Sequence, residues 1–476
     1  MHAPALLALV LWALCAPLRA DFESDHQALR DELATQVESF ARWCEEEDLL
    51  VQRNKAYSAL LELDPEHVKA HEALGHRHQK DGSWVIPSRV KRVYDNEKKL
   101  GELAAELLER RRAAVRDYRD AAFALLDADP ELAAAHGADV YAVVLAIDED
   151  DAEVRARRGE ARYGNAWVLA ETARAYEHRP QIRRIVAEAV RRAGARETLE
   201  QLDATDGWRS HARTPEVEVF GSVEMEEALR AAQAAHATGD VYRRLFQSRH
   251  HLPADMTVYL LGDRAELVPF LERVPNLTDE EREFLAQLVG SGIPRTANTA
   301  QWSESRARRL DGVVRHTIGQ YMVADLGLTT NHAWAWEGIG LYLTRELVGS
   351  RLTWYIGGTD ENTELANLRA DLLVQESNWM NAAWTLLKGD RAPRMGEVLR
   401  QNAGEMGVDG MLASYAFCAY LIEGRPDELP EVLIRTGRGE EPEQVVREAL
   451  GMTMDELQVR VERWLSERRR PEYYGS

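Results

Sequence analysis

Apolar residues recur every three or four positions through most of the first half of the chain. The segment 100–126 is rich in Ala, Leu, Glu and Arg and has no Gly or Pro after Gly101. This spacing and composition are typical of amphipathic α-helices. We therefore predict that residues 21–208 are helical throughout and form one region.

The pattern changes after 203–215, where Asp, Gly, Ser, Thr and Pro cluster. Val217 and Val219 alternate with glutamates, which indicates a strand, and a second strand is predicted at 256–261 after a helical stretch at 224–246. Strands mixed with helices and followed by a long helical tail predict an α+β domain with a small sheet. The expected fold class is α+β and mostly helical, with this second domain at residues 209–476.

Seven landmark positions occur twice in the first half, with the same residue type at six of them and an offset of 84 positions (141 − 57) through most of their length. The first copy contains Tyr57, Leu61, Asp64, Ala70, Gly75, Trp84 and Val85, and the second contains Tyr141, Leu145, Asp148, Val154, Gly159, Trp167 and Val168. Each copy predicts a helix that ends near the Asp, a turn, a helix closed by the Gly, and a short segment with the Trp. The stretch Leu-x-Leu-Asp-Pro-Glu-His-x-x-Ala in the first copy resembles the helix-turn-helix of tetratricopeptide repeats. This resemblance implies contact with a partner or plain scaffolding.

The N-terminus has the pattern of an export signal. Residues 5–16 are an unbroken apolar run of twelve, and the chain turns acidic and polar at Asp21. A spanning helix needs about 20 apolar residues, so residues 1–20 are interpreted as a signal peptide cut after Ala20. The protein would then be periplasmic or extracellular. An uncleaved anchor is the alternative, and we expect no other contact with a membrane.

Composition narrows the possible functions. Hydrophobic residues make up 45% and charged residues 29% of the chain, which argues against wholesale disorder. Asp+Glu 80 against Lys+Arg 59 gives a net charge of -21, which argues against nucleic-acid binding. Only Cys44 and Cys418 would remain after signal cleavage. Two cysteines cannot form a dense disulfide framework, and two buried free thiols are favoured over a long-range pair.

The second domain contains one group of residues with a recognisable chemistry. A buried helix is predicted at 306–326, with His316 and Gln320 one turn apart. Downstream, Trp334, Glu337, Gly338 and Tyr342 follow the pattern Trp-x-x-Glu-Gly-x-x-x-Tyr. A second helix there could bring Glu337 opposite His316 and Gln320.

This group resembles the gluzincin peptidases, in particular the peptidase-MA-like group of exported bacterial proteins. The resemblance covers about residues 210–470 and implies a zincin-like domain. It assigns His316 to the first zinc ligand on a His-Glu-x-x-His helix, and Glu337 to the third zinc ligand. The positions of the general base and of the second histidine hold Thr317 and Gln320 instead.

These two replacements argue against catalysis. Catalytic zinc needs three protein ligands, an open position for water and a nearby group that accepts the proton of that water. Thr317 cannot act as a base near neutral pH, and the Gln320 amide is a poor ligand. His332 precedes Glu337 by five positions and is a possible substitute ligand.

A second histidine group, at the end of the first repeat copy, resembles a zinc motif only superficially. His71 and His76 are five positions apart, which on a continuous helix places them about 140° apart on different faces. His67 and His78 lie close by in the sequence, so a surface metal site is possible, but solvated helix histidines are favoured.

The sequence therefore favours an exported, non-catalytic pseudopeptidase that binds a protein or peptide or acts as a scaffold, with no cofactor. One alternative is a zinc metallopeptidase with an atypical site built from His316 and Glu337. The other alternative is a purely structural envelope protein.

Overall fold

The structure is a computed structural model that describes residues 3–88, 92–203, 207–253, 256–288, 290–358, 363–374 and 377–468, with side chains from residue 24 onward. Most of the described residues are helical and the strands form small sheets, so the prediction of a mostly helical α+β fold is confirmed. The chain forms two compact units, residues 1–160 and 161–476.

The first unit is built mainly from long helices. Its elements are α1 (Ala3–Glu46), α2 (Leu50–Leu63), α3 (Val68–Ala73), β1 (Arg77–His78), β2 (Trp84–Val85), α4 (Glu97–Glu102), α5 (Ala104–Ala128), α6 (Pro130–Ile147) and α7 (Ala152–Arg157). Among the described residues only α6 is long and apolar enough to cross a membrane. Val140 and Val144 of this helix are buried in the core of the unit together with Val37 and Leu60, so one face of α6 packs in this core.

Both repeat copies have the local structure that their landmarks predict. Asp64 and Asp148 are the C-terminal caps of α2 and α6, and each is followed by a helix of 6 residues. Gly75 and Gly159 then take left-handed φ angles of 76° and 68°, which a residue without Cβ adopts readily. A short two-stranded sheet follows each glycine.

These small sheets correct the prediction of helix throughout 21–208. The described residues of this range contain five strands: β1, β2, β3 (Glu160–Tyr163), β4 (Ala166–Leu169) and β5 (Glu200–Leu202). Strands of two to four residues are too short to produce a visible alternation in the sequence.

The second unit begins well before the predicted boundary near residue 208. Helix α8 (Ala170–Ala193) buries Ile182, Val186 and Ala189 in the same core as the strands that follow it. The polar cluster at 203–215 therefore falls inside the second unit, and it includes one strand of the sheet, Ser210–Arg213. Composition alone does not distinguish a loop within a domain from a linker between domains.

The sheet of the second unit has six strands in the order β5-β6-β7-β8-β10-β9. Strands β7, β8 and β10 are parallel, and the other neighbours are antiparallel. The remaining strands are β6 (Ser210–Arg213), β7 (Glu218–Gly221), β8 (Thr257–Leu261), β9 (Gly290–Gly292) and β10 (Thr299–Trp302). The predicted second strand is confirmed, and the first lies one or two residues later than Val217.

Helices account for the rest of the unit. They are α9 (Met225–Phe246), α10 (Leu267–Arg273), α11 (Asp279–Ala286), α12 (Arg306–Tyr321), α13 (Ala333–Val348), α14 (Thr363–Leu372), α15 (Trp379–Lys388), α16 (Met395–Val398), α17 (Val408–Gly424), α18 (Leu429–Gly437), α19 (Pro442–Val445) and α20 (Met454–Arg468). Single turns of other helix types lie at Arg264–Glu266, Met322–Leu326 and Val446–Leu450. The predicted helix at 306–326 is thus α12 with a π-helical turn at its end.

The centre of the unit is the contact between α12, α13 and α17. Gly338 lies so close to α17 that an added Cβ would be 2.4 Å from Sγ of Cys418 and 2.5 Å from the carbonyl oxygen of Ser414. The glycine that follows Glu337 is therefore required by packing. Cys418 and Cys44 are both buried and free, as favoured from the sequence, and burial raises the pKa of the Cys44 thiol to about 12.

Candidate functional site

Glu337 is fully buried on α13, where it forms an ion pair with Arg315 of α12. The Arg315 Nη2 group donates to Glu337 Oε1 over 2.9 Å, and the two side chains are 1% and 0% exposed. Arg315 Nη1 also donates to the backbone carbonyls of Trp336 and Glu337. Burial raises the pKa of the Glu337 carboxyl above its ordinary value, and the Arg315 cation opposes this rise.

A glycine on α13 makes room for this guanidinium. A Cβ at Gly340 would lie 1.4 Å from Arg315 Nη1. The side chain of Arg315 therefore crosses α13 at Gly340, because this residue has no side-chain carbon. The sequence pattern marked Gly338 but gave no reason to single out Gly340.

Asp311 lies one turn before Arg315 on α12 and is also fully buried. It accepts hydrogen bonds from the backbone N–H groups of Leu352 and Thr353 and from the Ser350 hydroxyl, at 2.8–3.0 Å. Burial raises the pKa of its carboxyl. The carboxylate thus fixes the start of the segment that follows α13.

Glu337 fixes the same segment at Tyr355, two residues after Thr353. Its Oε1 atom accepts from the backbone N–H of Tyr355 over 3.1 Å, and the Arg315 guanidinium lies 5.2 Å from the centre of the Tyr355 ring. The backbone of Gly357 and Gly358 continues into hydrogen bonds with Ala403 and Met406. We call residues 350–358 the strap, because two buried carboxylates hold it across α12 and α13.

His316 has different neighbours. Its Nε2 atom lies 2.8 Å from the carbonyl oxygen of Ala297. Because a carbonyl only accepts, Nε2 carries the proton and donates it to this bond. A Cβ at Gly292 would lie 3.4 Å from His316 Nδ1, so the other nitrogen faces the edge strand β9. Burial lowers the pKa of His316 and keeps the imidazole neutral.

The rotation of α12 explains why Glu337 pairs with Arg315. Consecutive residues of a helix are about 100° apart around its axis. The face with Asp311 and Arg315 lies against α13 and the strap, so His316 is turned toward Ala297 and Gly292 near the sheet edge. The structure therefore gives the two predicted zinc ligands separate sets of partners.

The other predicted site residues are also accounted for by local contacts. Thr317 is buried and its hydroxyl donates to the Val313 carbonyl over 2.9 Å. Gln320 is half-buried. His332 lies at the start of α13, where its Nδ1 atom accepts from the Thr329 N–H over 3.2 Å, and burial lowers its pKa.

A zinc centre on His316 and Glu337 does not fit these contacts. A guanidinium already lies against the Glu337 carboxylate, and its positive charge would repel a dication bound to the same oxygen. Among the residues that the structure describes, no group of three His, Cys, Asp or Glu side chains is arranged to hold a metal ion.

Tyr342, the last residue of the pattern on α13, contributes to a second buried network. Its hydroxyl donates to Glu423 Oε1 over 3.0 Å, and Arg468 forms two bonds of 2.8 and 2.9 Å to the same carboxylate. Burial opposes ionisation of Glu423, but these donors lower the net pKa of its carboxyl. This network joins α13, α17 and α20.

The histidines of the first repeat copy lie closer together than a continuous helix allows. Nδ1 of His71 and Nδ1 of His76 are 2.7 Å apart, and His71 stacks on Trp84 with ring centres at 4.3 Å. The prediction that His71 and His76 lie on different faces of one helix is wrong. Helix α3 ends at Ala73, and the chain turns back at Gly75, which has a left-handed φ angle.

Arg315 and Asp311 are the important residues that sequence reasoning missed. Two opposite charges one turn apart in a helix that is predicted to be buried could have indicated buried ion pairs. No known protein-family model matches the chain, and no curated protein is significantly similar in sequence.

Proposed function

We propose that this chain is an exported, non-catalytic protein that binds a protein or peptide, and that the polar centre of its second unit is structural. The observation that carries this proposal is the pairing of Glu337. Glu337 uses its carboxylate to hold Arg315 and the strap, and Asp311 uses its carboxylate to hold the strap. A carboxylate committed to a buried guanidinium is a poor metal ligand, because the cation already lies against its oxygen.

The replaced residues support the same conclusion. Thr317 supplies no proton acceptor for a water molecule, and its hydroxyl is engaged with a carbonyl of its own helix. The Nε2–H of His316 is engaged with Ala297. Export remains a proposal from the apolar run at residues 5–16 and its polar continuation.

Binding is supported by a groove elsewhere in the second unit, with Trp208, Tyr259 and Phe270 among its lining residues. Its volume of about 580 Å³ lies within the range of roughly 300–1,000 Å³ that is common for ligand sites. The sealed centre stabilises the fold, and the groove supplies the accessible surface.

The test measures zinc content and peptide hydrolysis on the purified full chain. The protein is incubated with zinc and desalted, and elemental analysis is then expected to find less than one zinc atom per chain that depends on His316. When zinc is added back after chelation, it is expected to restore no cleavage of a mixture of quenched fluorescent peptides. The variants are His316→Ala and, as a matched control, His250→Ala, which changes an exposed histidine of the same unit.

Zinc-dependent cleavage that is lost in His316→Ala and kept in His250→Ala would overturn the proposal. That result would instead support the metallopeptidase alternative with His316 and Glu337 as ligands.

A further inference from the structure

The groove lies on the face of the sheet that is turned away from α9. Along β8, Val258 and Leu260 belong to the core that contains the α9 alanines, whereas Tyr259 and Leu261 pack in a separate cluster. Alternate residues of a strand point to opposite faces, so Tyr259 is on the outer face. The groove is lined by Trp208, Tyr259, Phe270, Arg273, Val274, Pro275, Asn276, Ile293, Pro294, Arg295, Thr296 and Asn298.

Aromatic rings form an apolar surface in this groove. The ring centres of Trp208 and Tyr259 are 5.6 Å apart, and those of Tyr259 and Phe270 are 4.8 Å apart. Trp208 and Tyr259 are only half-buried. Exposed aromatic faces that are already packed against each other bind a flat or apolar group at little entropic cost.

The loops beside these rings are held in place before any ligand binds. Arg295 forms two bonds of 2.8 Å to Glu281, and its Nη2 group donates to the Asn276 carbonyl over 2.5 Å. Glu281 also completes a capping box with Thr278 at the start of α11. One arginine thus joins the loop around residue 276 to the loop around residue 295.

The same two loops contain unusual backbone. Asn276 and Arg295 have φ angles of 62° and 63°, and non-glycine residues rarely adopt this left-handed region. Such conformations cluster at ligand-binding segments. They persist here because the bonds of Arg295 hold both loops.

The groove offers hydrogen-bond donors and few acceptors. Its lining contains two arginines and no Asp or Glu, although the chain has 80 acidic residues and a net charge of -21. Arg295 is neutralised by Glu281. Arg273 is exposed and donates Nε to the Pro269 carbonyl, and no carboxylate of the described residues is recorded within ion-pair distance of it.

Two side-chain acceptors in the lining, those of Asn298 and Thr296, are used within the protein. Asn298 Oδ1 accepts from the Thr257 N–H, and the Thr296 hydroxyl bonds to Ile293 and Asn298 backbone groups. A neutral sugar needs acceptors for its hydroxyl groups, so this lining favours a ligand that is itself an acceptor. A carboxylate next to an apolar side chain satisfies both the arginine and the aromatic surface.

We propose that this groove binds an acidic peptide segment, with an aromatic side chain against Trp208 and Tyr259 and a carboxylate on Arg273. The inference rests on the proposed binding function and gives its site and ligand class. An acidic peptide is favoured over an acidic sugar for two reasons. Arg273 is the single arginine of the lining that is available to a ligand carboxylate, and two prolines and an aromatic surface lie beside it.

The experiment uses the full chain and a fluorescein-labelled pentapeptide, acetyl-Asp-Glu-Phe-Glu-Asp-amide, with binding followed by fluorescence anisotropy at low and at physiological salt. The variants are Arg273→Glu, Arg273→Lys and Trp208→Leu. The matched control is Arg249→Glu, which makes the same charge change at an exposed arginine outside the groove. Circular dichroism checks that each variant folds.

We expect saturable binding that weakens at least tenfold in Arg273→Glu, weakens in Trp208→Leu, is partly kept in Arg273→Lys and is unchanged in Arg249→Glu. Replacing Phe by Ala in the peptide should also weaken binding.

Three results would overturn the inference: no binding, equal affinity of wild type and Arg273→Glu, or tighter binding of trigalacturonate than of the peptide. Equal affinity of the two proteins would locate a peptide site elsewhere, so the proposed function would survive without this groove. Zinc-dependent cleavage of the pentapeptide would contradict the proposed function itself.

Discussion

Two regions of the second unit each contain an arginine–glutamate pair, and they use it in opposite ways. In the sealed centre, Arg315 and Glu337 are 1% and 0% exposed, and burial raises the pKa of the glutamate. Beside the groove, Arg295 and Glu281 are 57% and 28% exposed, and the arginine lowers the pKa of Glu281 to about 2. Both pairs consist of an arginine and a glutamate, so the difference between their roles comes from the surroundings of each pair.

The two pairs are expected to contribute differently to the free energy of unfolding, because they differ in hydration. A buried pair has lost its hydration, so removal of one partner leaves an uncompensated charge in the core. An exposed pair exchanges its partner for water and is screened by salt. We therefore expect the buried pair to stabilise the second unit and the surface pair to hold two loops in position.

The largest expected effect comes from breaking the buried pair. Glu337→Ala should destabilise the second unit by about 3–5 kcal/mol, because it leaves Arg315 charged and buried. Urea unfolding followed by circular dichroism measures this loss. Glu281→Ala is the comparison at the surface pair and should lower the unfolding midpoint by less, because it removes an exposed ion pair and one bond of a capping box.

The double variant Arg315→Met/Glu337→Leu sharpens the same comparison. Replacement of both charges by apolar groups of similar volume should restore most of the stability lost in Glu337→Ala. A double variant that is as unstable as the single one would show that the strap contact to Tyr355, and not the charge of Arg315, dominates the loss.

A smaller effect is expected at Gly340. Gly340→Ala would place a Cβ against the Arg315 guanidinium and should cost about 1–3 kcal/mol through overpacking. The control is Gly101→Ala, where no atom lies within 4 Å of the added Cβ and the alanine should stabilise its helix by roughly 0.5–1 kcal/mol. Thermal unfolding of both variants compares them. Equal shifts in Tm would contradict a tight contact at Gly340.

The smallest effect concerns pH. Burial lowers the pKa of His316 below the ordinary value of 6.5, so the unfolded chain takes up a proton that the folded chain does not. The unfolded state then binds more protons below about pH 6.5, and stability falls as the pH falls. The loss of Tm between pH 7 and pH 5 should therefore be shallower in His316→Gln than in the wild type. A His250→Gln control should follow the wild-type curve, and identical slopes for all three proteins would contradict a neutral buried His316.

Local sequence features predicted several elements correctly for physical reasons. Helices α9 and α12 follow from their three- and four-residue apolar spacing, and strand β8 follows from an apolar run bounded by turn residues. The repeat copies were found because an Asp that ends a helix and a Gly in a left-handed turn each act within a few residues. The strands β1 to β5 were missed because they are very short and lie between strongly helical stretches.

The site was predicted only in part. The sequence singled out His316, Glu337 and Gly338, and Glu337 and Gly338 do lie at the centre of the unit. The partner of Glu337 was not predictable from spacing, because it depends on the rotation of α12 about its own axis relative to α13. The groove was missed because Trp208, Tyr259, Arg273 and Arg295 are far apart in the sequence.

The sequence by itself therefore determined the mostly helical class, the two repeat copies and the presence of Thr317 and Gln320 where the zinc-peptidase pattern that it resembles has Glu and His. These features depend on residue identity or on contacts within a few positions. Only the tertiary structure decided that Arg315 occupies the carboxylate of Glu337, and that Arg295 joins two loops beside an aromatic groove. Both outcomes depend on contacts between residues distant in the chain, and such contacts are set by the packing of whole elements.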